Sequence, residues 1–210
     1  MEYSRNVFIN CPFDVDYQPL FRALVFAVQD YGLTPRSALE SDDGSEVRIE
    51  KIRRIVAESQ FAIHDISRTE LDEATGLPRF NMPLELGIFL GAKWFGGEEH
   101  RRKSCVIFDR ERYRYQVFCS DLAGQDIRAH RCEEREVIRG VRNALRTWCP
   151  ERELAGAAVT WDRYLRFDGT LAQMADRVGL DANDLSFSDF TRLVAEWLRF
   201  NTPRPVAAAA

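Results

Sequence analysis

Between residue 5 and about residue 149 the chain alternates short apolar runs with amphipathic helical patterns, and few folds accommodate that alternation. Asn-Val-Phe-Ile-Asn at 6–10 is a β-rich run stopped by Pro12. Tyr17, Leu20, Phe21, Leu24, Val25, Val28 and Tyr31 then recur at helical spacing, with Gly32 where a helix cap belongs. Residues 61–67, FAIHDIS, read as a buried strand ending in polar groups. The helix before it directs Val47, Ile52, Ile55 and Val56 to the core and Lys51, Arg53 and Arg54 outward. The pattern predicts strands at 6–10, 61–66 and 104–108, with weaker ones near 33–38 and 114–118. It predicts helices at 17–31, 46–58, 83–94 and 133–148. The expected fold class is α/β: a doubly wound, flavodoxin-like parallel sheet of about five strands, covered on both faces.

The alternation stops at a linker, 150–158, which divides the chain into an α/β domain at 1–149 and a helical C-terminal extension at 150–210. The extension reads as one or two short helices and then a final helix opened by a capping box at Ser186 and Asp189. Phe187, Phe190, Leu193, Val194, Trp197 and Leu198 give that last helix a wide apolar stripe. It must dock on the main domain or on a second subunit, so a homo-oligomer through this helix is expected. The tail from Thr202 reads as frayed.

In doubly wound sheets, ligands bind at the carboxyl ends of the strands. Asn10, Pro12, Phe13 and Asp14 follow the first strand, and Asp65 and Ser67 end another. Residues 79–93, RFNMPLELGIFLGAK, place Asn81 and Glu85 at the start of an otherwise apolar helix. Leu84, Leu86, Ile88, Phe89, Leu90 and Trp94 surround Glu85, so this helix is expected to be buried. A glutamate there is costly unless it is paired or opens onto a pocket. One reading is a glutamate favoured by the helix dipole; the other is a site carboxylate. Gly87 and Gly91 leave a bare stripe that backbone or ligand can approach.

Several functions are excluded. Gly87-x-x-x-Gly91-Ala-Lys93 lacks the spacing of a phosphate loop, and no Gly-x-Gly-x-x-Gly follows a strand. Five cysteines without a Cys-x-x-Cys support neither a disulfide framework nor a zinc site, and His130-x-Cys132 offers only two ligands. A net charge of −4 argues against a dedicated nucleic-acid binder. No apolar run approaches membrane-spanning length and the N-terminus has no signal-peptide core, so a cytoplasmic protein is expected. His64 reads as a core strand residue. The polar stretch 120–130 reads as a solvated loop or a second wall of the pocket. The arginines at 135, 139, 142 and 146 form a basic stripe diluted by Glu133, Glu134 and Glu136, hence a solvated face.

Three short motifs in this order resemble the nucleoside 2-deoxyribosyltransferase-like and TIR-like superfamily. They are Phe8-Ile9-Asn10-Cys11-Pro12-Phe13-Asp14, His64-Asp65-Ile66-Ser67 and Asn81-Met82-Pro83-Leu84-Glu85-Leu86-Gly87. The resemblance covers residues 5 to about 110. It implies that Glu85 attacks or stabilises C1′ of a ribose, that Asp65 orients the substrate, and that an N-glycosidic bond is cleaved. Where the transferases usually carry an aspartate ahead of the glutamate, Asn81 stands closest, which turns the expectation from deoxyribosyl transfer toward hydrolysis. No acid for a neutral purine leaving group is evident beyond Asp65 or His64. The already cationic nicotinamide of NAD leaves without one. The expected function is therefore N-glycosidic hydrolysis of a nucleotide, NAD being the candidate, similar to NAD-consuming effectors of bacterial defence. No cofactor and no metal are expected. The alternatives are a nucleotide sensor without chemistry and a deoxyribosyltransferase.

Overall fold

The computed structural model describes residues 2–71 and 75–201, and the tail from 202 lies outside them. Five parallel strands form one sheet: β1 (Asn6–Asn10), β2 (Thr34–Arg36), β3 (Phe61–Asp65), β4 (Ser104–Asp109) and β5 (Ile127–Ala129). Their order is β2-β1-β3-β4-β5, the doubly wound, flavodoxin-like arrangement. Val7 to Asn10 pair with Phe61 to His64, and Phe61 to Asp65 pair with Ser104 to Phe108. Every residue of β1 and β3 is buried, as a sheet covered on both faces requires.

Alternation along the strands sorts side chains into two layers. Val7, Ile9, Phe61, Ile63, Val106 and Phe108 face α1 (Gln18–Asp30) and α6 (Glu134–Trp148). Phe8 and Ala62 face α2 (Arg48–Ala57) and α3 (Asn81–Phe95), meeting Ile52, Ile55 and Phe89. Gly140 is required for this packing. A Cβ there would meet the Phe108 ring at 2.4 Å, so only glycine lets α6 lie so close to β4.

Two more helices, α4 (Glu98–Arg101) and α5 (Tyr115–Phe118), are single turns. The C-terminal part forms α7 (Ala157–Arg177) and α8 (Phe187–Asn201), and both join the core of the α1 face. Phe26 of α1 stacks on Phe167 of α7 at 5.3 Å and reaches Trp197 of α8 at 5.9 Å. The apolar stripe of α8 is thus covered by its own chain. The Ser186 hydroxyl accepts the Asp189 N–H at 3.1 Å and donates to its carboxylate at 2.6 Å, a cap at the start of α8.

The structure departs from the sequence expectations in five places. The segment 114–118 is a helical turn, because Arg114 reaches back to Asp109, Thr69 and the Ser67 carbonyl and folds it over β4. The fifth strand is instead Ile127–Ala129, inside the stretch expected to be a loop. One 21-residue helix, α7, replaces one or two short ones, since its buried row of Tyr164, Phe167, Leu171 and Ala175 continues past Gly169. On α2, Val47 is exposed and Lys51 buried, because the Lys51 ammonium donates to the Ser41 carbonyl. On α3, only one side is buried: Leu84, Trp94 and Phe95 are exposed, and among the described residues no neighbour lies within 4 Å of a Cβ placed on Gly87 or Gly91. Among the described residues, no helix is long and apolar enough to cross a membrane.

Candidate functional site

The strand order reverses between β1 and β3, and a cleft of about 620 Å³ opens beyond their carboxyl ends. Cys11, Pro12, Phe13, Asp14 and Asp16 after β1 form one wall, and Arg68, Glu70 and Leu71 after β3 a second. Arg79, Asn81 and Met82 at the start of α3 close it, with Arg48 from the first turn of α2.

Of the residues expected from sequence, Pro12, Phe13, Asp14 and Asn81 line this cleft. Asn10, Asp65, Ser67 and Glu85 lie behind its walls and are buried. Glu85 sits one turn along α3 from Asn81, 3% exposed, with an oxygen 3.9 Å from the Arg48 guanidinium. Burial pushes its carboxyl up to about 7, and Arg48 pulls the other way. Glu85 thus exchanges its proton near neutral pH, which an ordinary surface glutamate does not.

Asp65 and Glu85 share the carboxyl edge of the sheet but belong to opposite layers. Asp65 faces α1 and is fully buried. It accepts the Tyr17 hydroxyl at 2.7 Å and the Ser67 N–H at 2.8 Å. His130 Nε2 stands 3.1 Å from the same carboxylate, though its N–H is not aligned for a hydrogen bond. The other ring nitrogen of His130 accepts the Cys132 N–H at 2.9 Å, so the ring carries a proton on Nε2. Through these contacts Asp65 ties β3, the start of α1 and the end of β5 together at the carboxyl edge of the sheet.

Asn10 and His64 face the α3 layer. The Asn10 amide donates to His64 Nδ1 at 2.9 Å and to the Met82 carbonyl at 2.9 Å, which anchors the start of α3 to β1. Burial drives His64 down to about 3, so it is a neutral core residue at physiological pH, packed against Phe8 and Phe89. Cys11, just after β1, belongs to the buried cluster of the α1 face. Burial, then Asp65, Glu85 and Asp14, push its thiol well above the ordinary value, so it is a neutral wall and no nucleophile.

Sequence reasoning missed the arginines of the cleft. Arg68 pairs with Asp14 and holds that carboxyl below its ordinary value. Arg79 has no ion pair among the described residues, and Arg48 has only the long contact with Glu85. Both guanidiniums line the cleft, where they can meet an anionic ligand. Arg79 heads the stretch that carries Glu85, and Arg48 opens the helix of the preceding crossover; their place at the sheet's carboxyl edge was the available signal. Among the described residues, no cluster of His, Cys, Asp and Glu could hold a metal ion. No protein-family model matches the chain, and no curated protein is significantly similar to it.

Proposed function

We propose that this chain hydrolyses the N-glycosidic bond between ribose and base in a nucleotide, with NAD as the candidate substrate. The observation that carries the reading is Glu85: a buried carboxyl, titrating near 7, beside a cleft at the switch point of the sheet. Arg48 and Arg79 supply charge for substrate phosphates. A phosphate that draws Arg48 away from Glu85 opens the carboxylate toward the ribose. Positive charge then grows at C1′ as the base departs, and an ionised Glu85 stabilises it or traps it covalently before water attacks. A cationic nicotinamide favours the ionised form of Glu85 and leaves without protonation. Asn10 and Asp65 act by position: one fixes the start of α3, the other the strand edge.

The test is incubation of the purified chain with NAD and, separately, with nucleoside monophosphates, followed by chromatography for free base. Release of nicotinamide, lost in Glu85→Gln, supports the reading. A second reading has its own observation: Glu85 is shielded from solvent while the arginines are open, as suits a nucleotide sensor without chemistry. Binding of NAD without release of base from any nucleotide supports the sensor. Base exchange only on addition of an acceptor base supports a deoxyribosyltransferase.

A further inference from the structure

A second cleft, of about 410 Å³, lies at the other end of the sheet. It is bounded by the edge strand β5, the first half of α6 and residues 112–115, and shares no lining residue with the cleft at β1 and β3. Four guanidiniums line it, from Arg112, Arg128, Arg131 and Arg139, against the carboxylates of Asp126 and Glu136. Arg139 is paired with Glu136, whereas Arg112, Arg128 and Arg131 have no ion pair among the described residues. A concave, cationic patch on a chain of net charge −4 concentrates field for an anion.

The backbone of this cleft is strained. Tyr113 and Arg131, both lining it, and the adjacent Cys132 have φ of 64°, 54° and 59°, the left-handed region that bulky side chains avoid. The strain is held in place. The His130 N–H donates to the Asp109 carbonyl, the Arg131 N–H to the Arg110 carbonyl, and the Cys132 N–H to the His130 ring. The turn that results holds Arg131 at the cleft. Tyr113 is 68% exposed, and its ring packs on no other aromatic ring among the described residues. Unpaired arginines around an open aromatic ring suit a phosphorylated aromatic ligand: the guanidiniums take the phosphate oxygens and the ring takes a base by stacking.

We propose that this cleft is a second ligand site, for a nucleoside diphosphate or triphosphate, separate from the cleft beside Glu85. The base stacks on Tyr113, and Arg112, Arg128 and Arg131 hold the phosphates. The inference does not depend on hydrolysis at Glu85.

The experiment is calorimetric titration of the full chain with ADP, with adenosine, with inorganic pyrophosphate and with a single-stranded oligonucleotide. Each is repeated on Arg128→Gln/Arg131→Gln, on Tyr113→Asn and on Arg48→Gln/Arg79→Gln. Asparagine tolerates a left-handed backbone, so Tyr113→Asn removes the ring and keeps the turn. The expected result is ADP binding that persists in Arg48→Gln/Arg79→Gln and weakens at least about tenfold in Arg128→Gln/Arg131→Gln. Tyr113→Asn should weaken ADP and leave pyrophosphate unchanged, and adenosine should bind at least about tenfold more weakly than ADP. Thermal melting of each variant controls for folding. ADP binding unaffected by Arg128→Gln/Arg131→Gln overturns the site. Binding of the oligonucleotide but not of ADP overturns the ligand class.

Discussion

Arg48 places its guanidinium 3.9 Å from the Glu85 carboxylate, and the two residues differ sharply in exposure: Arg48 is half exposed in the cleft and Glu85 is buried behind it. The carboxyl is pushed up to about 7 by burial while Arg48 favours its ionised form. If ionised Glu85 carries the reaction, base release should rise with pH through about 7 in the wild type and level off above it. Arg48→Gln removes the opposing charge, so the rising limb should move to higher pH. Initial rates between about pH 5 and 9 measure this. A rate that instead falls as pH rises would make Glu85 the acid that protonates a leaving base.

Glu85→Gln tests the same carboxyl through both activity and stability. Cleavage should drop roughly a hundredfold or more, because the stabilising charge is gone where positive charge develops. Substrate affinity should change far less. In the fold the Glu85 proton is held more tightly than in the unfolded chain, whose ordinary value is 4.5. The associated stability is complete below that value and is lost as pH rises through about 7. Gln never ionises, so the variant should be more stable than the wild type at pH 8, by about 1–3 kcal/mol, with the gap closing toward pH 4. Urea unfolding at both pH values reads it. A gap that does not change with pH removes the buried-carboxyl account.

Asp65→Ala should fail differently. It strands the Tyr17 hydroxyl and the Ser67 N–H and leaves His130 without its facing charge. The expected loss is about 2–4 kcal/mol of stability, with Asp65→Asn costing less because its amide oxygen still accepts. Under conditions where Asp65→Asn stays folded, base release should be reduced mildly compared with Glu85→Gln. An Asp65→Asn variant as stable as the wild type and as inactive as Glu85→Gln would assign Asp65 contact with the substrate.

The sheet was legible because strands buried on both faces leave continuous apolar runs, as at 6–10, 61–65 and 104–109. β5 left no such trace. It is three residues at the sheet edge, and only Ile127 has a strand former's side chain. Lys103 shows how little a local pattern says about burial: it follows Arg101 and Arg102 in a run of three basic residues. In the fold it is fully buried, donating to the Val56 and Ser59 carbonyls, and burial lowers it to about 8. The positions of the site residues along the carboxyl edge followed from the strand endings. Their division between two layers did not, because it depends on which way β3 presents alternate side chains. Nor could the sequence show that α8 finds its partner on α1, since an apolar stripe fits a neighbouring subunit equally well.

That last ambiguity yields a prediction. Phe190, Leu193, Val194 and Trp197 of α8 and Phe167 and Leu171 of α7 belong to the same buried cluster as Leu24 and Phe26 of α1. Arg22 and Gln29 of α1 also donate to the carbonyls of Ala182 and Thr191. A chain ending near residue 155 would therefore expose one whole face of α1. It should lose cooperative melting or aggregate. Trp197→Ala removes a large buried side chain without shortening the chain and should cost about 3–5 kcal/mol. Melting and light scattering should be measured together on both variants. If α8 served a neighbouring subunit, Trp197→Ala would lower the mass in solution at an unchanged monomer melting temperature. If it serves this chain's core, the melting temperature falls and the mass of the folded fraction stays the same.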